Sequence, residues 1–242
     1  MKTTLIALVS IFLFAFSCNG DKTEKEQLNS LEKEALEVTK EAGLKAEDFK
    51  DKIDELLTLE MAAQASGLPE TEATKKHNTT VMESVKYEWK SDRTKKVAIN
   101  GQTINVPATN YIELSWVKNT TLQQFKHDYH NPTAEELQKA SSAMDKKANE
   151  LNAEGKASKE QTDAANNIAK NSISKFKVEE VPNLGDYAVF VNSGIMGVST
   201  RDLKVFYKGL SFTLEVDLSD NAANNDKKAI ETAKMIINQK LK

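Results

Sequence analysis

The apolar residues of this chain change period along its length, and no other feature restricts the fold as much. Phe212, Leu214, Val216 and Leu218 alternate strictly with Thr213, Glu215 and Asp217, the two-residue repeat of a strand with one buried side. Leu137, Ala140, Met144, Ala148 and Leu151 recur at helical spacing instead. One period cannot serve in the other role, because a two-residue repeat scatters apolar groups around a helix. Strand runs joined by short turns, with helical runs grouped between and after them, predict an α+β fold: an antiparallel sheet packed by helices on one side.

Walking the chain assigns the elements. Leu28, Leu31, Ala35, Val38 and Ala42 form one seam of an N-terminal helical arm over 28–43, stopped by Gly43. Two heptads are too few for a coiled coil, so this arm reads as packing on its own domain rather than as a dimer seam. The α+β domain is expected over 44–242. A helix over 46–57 turns Phe49, Ile53, Leu56 and Leu57 inward, and Thr58 caps a shorter one over 59–66, closed by Gly67. Val81, Glu83, Val85, Tyr87 and Trp89 alternate with polar neighbours as a strand. Runs 96–99 and 102–106 flank Asn100-Gly101, a hairpin signal because a type I′ turn needs positive φ at both central residues. Asn110, Ile112, Leu114 and Trp116 mark the apolar-leaning side of a long strand.

Thr133 with Glu136 and Ser158 with Gln161 are capping-box pairs on either side of Gly155. They predict an inserted αα-hairpin at about 133–174, with an Ala-rich stripe anchored by Leu137, Met144, Leu151, Ile168 and Ile173. Strands over 176–181, 187–191, 203–207 and 211–218 follow, the last two joined through Lys208-Gly209. A helix over 226–241 then lays Ala229, Ile230, Ala233, Ile236 and Ile237 on the sheet.

Several short motifs, in this order, resemble a family of small bacterial lipoproteins of unknown function, best known from actinobacteria, with a PsbP-like α/β/α sandwich. They are Leu56-Leu57-Thr58-x-Glu60-x-Ala62-x-x-Ala65-x-Gly67, Tyr87-Glu88-Trp89, Leu184-Gly185-Asp186-Tyr187-Ala188, Lys208-Gly209 with Phe212-x-Leu214-x-Val216, and the apolar face from Ala229 to Ile237. The resemblance covers about residues 53–242 and implies a PsbP-like sandwich but no activity, since that family shares none. The chain departs from the pattern where Tyr87 stands at a cysteine position and where the 133–174 hairpin is expanded.

The N-terminus carries an address. Lys2 precedes the apolar run Leu5–Phe16, which is too short to span a bilayer and ends in Ser17-Cys18. Ala15-Phe16-Ser17-Cys18 resembles the lipobox of bacterial lipoproteins. That resemblance implies a signal peptide over 1–17, cleavage between Ser17 and Cys18, and lipidation of Cys18. Cys18 is the sole cysteine, so no intrachain disulfide forms. The alternative is an ordinary secreted protein whose apolar run happens to end in Cys. Residues 18–27 lack apolar groups and read as a flexible lipidated tether. Asn19 rather than Asp after the acylated position resembles the sorting signal for the outer membrane. Asp21, Glu24 and Glu26 only faintly resemble an acidic export tag, because Lys22 and Lys25 interrupt them.

Chemistry is sparse. Lys plus Arg number 33 against 36 Asp plus Glu, a net charge of −3, which does not suit a nucleic-acid binder. His127, Asp128 and His130 are the one cluster of metal-ligand types; a polar turn entering Pro132 is the alternative, and no metal or other cofactor is assigned. No Gly-x-Ser-x-Gly elbow, Gly-x-Gly-x-x-Gly run or P-loop appears among nine glycines. No catalytic residue is therefore named, and the chain is not expected to be an enzyme. Trp89 and Trp116 are either stacking platforms or packing residues. The expected function is a lipid-anchored, non-catalytic binding or interaction module in the envelope, with a protein partner meeting the helical hairpin. The other reading is a small-ligand carrier, or a hydrolase, with a pocket between sheet and helices.

Overall fold

The computed structural model describes residues 33, 44–80, 83–99, 102–192 and 201–242. The signal peptide, Ser17 and Cys18, the tether, the arm over 28–43 apart from Lys33, and the Asn100-Gly101 turn lie outside the described residues. The chain divides into two compact units, one holding residues 130–177 and the other 44–129, 178–192 and 201–242.

The larger unit is an antiparallel seven-stranded sheet with helices, so the fold is α+β. Its strands are β1 (Thr74–Asn78), β2 (Ser84–Trp89), β5 (Asn110–Asn119), β6 (Lys177–Glu180), β7 (Tyr187–Asn192), β8 (Asp202–Tyr207) and β9 (Leu210–Asp217). They lie in the order β1-β2-β5-β9-β8-β7-β6, while β3 (Thr94–Ile99) and β4 (Gln102–Pro107) make a separate two-stranded ribbon. Val85, Leu114, Leu214, Leu203 and Phe190 sit opposite one another across five strands, which puts them on one face. On that face pack α1 (Ile53–Leu56), α2 (Leu59–Ser66) and α6 (Ala222–Lys240). The space between is filled: Leu56, Leu57, Ile112, Leu114, Leu214 and Ile236 are each fully buried. On the opposite face, α3 (Leu122–Asp128) sets Phe125 at 5.7 Å from Phe206 and 6.1 Å from Tyr187, ring centre to ring centre.

Local rules place most of these elements. Thr58 Oγ1 accepts from the Met61 N–H at 3.2 Å, and Gly67 stops α2 with φ +74°. Lys208 and Gly209 both have positive φ, the type I′ geometry that joins β8 to β9. Elsewhere the structure departs from expectation. The helix expected over 46–57 is a 3-10 turn, Ala46–Phe49, followed by α1, because Asp51 at φ +60° breaks the helical path between them. β1 carries no apolar residue and is exposed throughout. It is an edge strand whose lysines discourage further pairing, so alternation could not reveal it. α3 was also unannounced, although Thr121 caps it by accepting from the Gln124 N–H at 3.0 Å. α6 begins at Ala222 rather than 226, capped by Asn221.

In the smaller unit, α4 (Ala134–Ala153) and α5 (Lys159–Lys175) both open with complete capping boxes, Thr133 with Glu136 and Ser158 with Gln161. Met144 and Ala165 are buried between them, with Leu151, Ala169 and Ile173 packed around. Leu137, expected as an anchor, is exposed on α4.

Candidate functional site: an exposed tryptophan on a bulge

The strand β5 begins as the alternation demands, with Ile112 and Leu114 fully buried. The same phase would send Trp116 into the core. It does not, because Ser115 pairs with Thr213 and Lys118 with Ser211, so two residues of β5 face one of β9. The extra residue makes a β-bulge. Trp116 takes φ +55°, Val117 packs against the core in its place, and the indole turns outward to 50% exposure. A bulky residue in the left-handed region costs roughly 1–2 kcal/mol, since its Cβ crowds the following carbonyl. Trp89 behaves oppositely: it is 2% exposed, and its indole N–H donates to the Pro69 carbonyl at 2.9 Å. Of the two tryptophans, Trp89 is core and Trp116 is half-exposed.

Beside Trp116 lies a cleft of about 290 Å³ lined by Glu47, Phe49, Lys50, Thr80, Glu83 and Lys118, among others. Its walls are held by backbone capture. Asn119 Oδ1 accepts from the Ala46 N–H at 3.0 Å, and its amide donates to the Leu44 and Gly209 carbonyls, tying the 3-10 turn to the end of β5. Glu83 Oε1 accepts from the Ile53 N–H at 3.4 Å and lies 3.5 Å from His77 Nε2. Lys118 faces Asp128 at 3.5 Å, and Lys50 faces Glu47 at 3.6 Å. The lining holds two carboxylates and two ammoniums, so their formal charges cancel.

The histidine cluster takes other places. α3 stops at Asp128, so one helix does not carry His127 and His130 together. Asp128 accepts from Gln124 Nε2 at 2.6 Å, and His130 Nε2 lies 3.1 Å from Glu136. Burial and the charges of Asp128 and Asp202 push the Tyr129 hydroxyl up to about 12. Among the described residues no group of three or more His, Cys, Asp or Glu is placed to hold a metal ion, and no helix is long and apolar enough to cross a membrane. The lipidation and cleavage residues Cys18 and Ser17 lie outside the described residues.

One buried charge cluster was not legible in the sequence. Asp217, expected on a solvated side, is 1% exposed. It is paired with Lys95 and, at 3.0 Å, with Arg93. Arg93 also donates to Asn110 Oδ1, to Asp220 Oδ1 and to the Thr109 and Asp217 carbonyls, which accounts for its whole guanidinium. The cluster fastens the base of the β3–β4 ribbon to the sheet and leaves Arg93 no donor for a ligand. No protein-family model, no curated protein and no solved structure matches the chain.

Proposed function

We propose that the chain is a lipid-anchored protein of the bacterial envelope, acylated on Cys18 after cleavage from Ser17, and that it acts there as a non-catalytic binding module. The observation that carries the binding half is Trp116, a half-exposed indole held out by a bulge beside a polar cleft. A carrier or hydrolase with a pocket between sheet and helices asks for space that Leu56, Leu57, Leu214 and Ile236 occupy. The anchoring half rests on Ala15-Phe16-Ser17-Cys18 and on Cys18 being the sole cysteine. The ordered motifs that resemble PsbP-like lipoproteins agree with it, and an outer-membrane location follows from Asn19 by the same kind of resemblance. The envelope partner engages either the Trp116 cleft or the α4–α5 hairpin. Metabolic labelling with an alkyne fatty-acid analogue tests the anchor. The wild type should be labelled and Cys18→Ser should not; equal labelling of both refutes acylation at this position.

A further inference from the structure

The binding reading leaves the ligand open, and the cleft narrows it. We infer that Trp116 is the stacking platform of a carbohydrate subsite that takes a neutral pyranose ring of a glycan. The inference rests on the binding-module reading and adds its ligand class.

Three observations converge. The first is the indole itself: half of Trp116 is open to solvent, and Val117 fills the core position it vacates. Bulges re-aim side chains, and bulky residues held in a disfavoured backbone region cluster at functional sites. The second is the rim. Glu47 and Glu83 offer acceptors, Lys50 and Lys118 offer donors, and the Thr80 hydroxyl offers both. The third is charge and size. Two carboxylates against two ammoniums give no net field to select an anion or a cation. A cleft of about 290 Å³ sits at the lower end of small-molecule sites, room for one ring rather than a large ligand.

A pyranose meets all three demands. One face of the ring presents C–H groups that lie flat on an indole, and its hydroxyls both donate to carboxylates and accept from ammoniums. A nucleic-acid strand would bring phosphates to a rim with no net positive charge. An apolar peptide side chain would use the indole but none of the donors and acceptors that Glu47, Lys50, Thr80, Glu83 and Lys118 place around it.

The test uses the full chain in detergent with chitotetraose, cellotetraose and maltotetraose as probes. The chain has only two tryptophans, and Trp89 is buried, so emission changes on sugar addition report Trp116. At least one probe should shift the emission saturably and protect it from acrylamide quenching. Trp116→Gly, which suits the positive φ, should lose the heat of sugar binding in isothermal titration calorimetry while keeping the thermal midpoint. Lys50→Ala, at an exposed position away from the bulge, should weaken binding several-fold. No saturable response to any of the three sugars overturns the inference, and so does an undiminished response in Lys50→Ala. A response to N-acetyl-Leu-Leu-amide and to none of the sugars overturns it in favour of a peptide site. Release of reducing ends from a bound sugar would refute the non-catalytic reading and leave the subsite standing. Failure of Cys18 labelling would refute the anchor alone.

Discussion

Replacing Gly185 by alanine should destabilise the larger unit far more than the same change at Gly67. Both glycines have positive φ, +61° and +74°. At Gly67 an added Cβ meets nothing within 4 Å. The left-handed penalty of roughly 1–2 kcal/mol is then partly offset by about 0.4–1 kcal/mol from a less flexible unfolded chain, leaving roughly 1 kcal/mol. At Gly185 the same Cβ would stand 2.5 Å from the Phe206 carbonyl oxygen and 3.3 Å from Val205 Cγ1. The oxygen belongs to β8 and already accepts from the Asp186 N–H at 2.9 Å, so it cannot retreat without breaking that bond and disturbing the β7–β8 ladder. Overpacking adds roughly 1–3 kcal/mol and the lost hydrogen bond about 0.5–1.5 kcal/mol, for a total of roughly 3–5 kcal/mol. Urea unfolding followed by far-UV circular dichroism, with both variants fitted to a common m-value, measures the difference. Coincident midpoints for Gly67→Ala and Gly185→Ala would show that the turn yields freely, and the reasoning would fail.

Two more expectations follow from the packing and the caps. Leu214→Ala removes a fully buried side chain at the centre of the sheet and should cost roughly 2–5 kcal/mol. Glu215→Ala, on the other side of β9, should cost about 1 kcal/mol, because Glu215 Oε1 accepts from the Tyr111 hydroxyl at 2.5 Å; equal midpoints in guanidinium would mean the strand phase is misread. The Glu136 carboxyl is drawn down to about 2 by the Thr133 backbone N–H first, then by His130 and by the Thr133 hydroxyl. Its folded value lies below its ordinary 4.5, so its contribution to the α4 cap is present above about pH 4.5 and is lost as pH falls through about 2. A carboxyl-carbon NMR titration should find that midpoint, and a midpoint near 4.5 would show that the cap does not hold the charge.

Signals that lie within a few residues were readable in the sequence. The capping boxes at Thr133 and Ser158, the Thr58 cap and Gly67 stop, and the Lys208-Gly209 turn each act through backbone groups no more than four residues away. The alternation of Phe212, Leu214 and Val216 was equally plain and marks the face that packs on the helices, although Ser211, Thr213 and Asp217 on the other face are buried as well. Those features sufficed for an α+β chain with an antiparallel sheet. What they could not reveal depends on partners far along the chain. β1 gains its place by pairing with β2 and needs no apolar side chain to do so. Asp217 is buried beside Arg93 and Lys95, more than a hundred residues earlier, which pair with its charge. Trp116 leaves the core only because β9 supplies one residue where β5 supplies two, a mismatch that neither strand's own pattern contains. The sequence by itself determined the strands and helices that carry their own caps, turns and apolar period, since those signals are local. The tertiary structure decided which tryptophan is exposed and which carboxylate is buried, since both follow from register and charge pairing between distant segments.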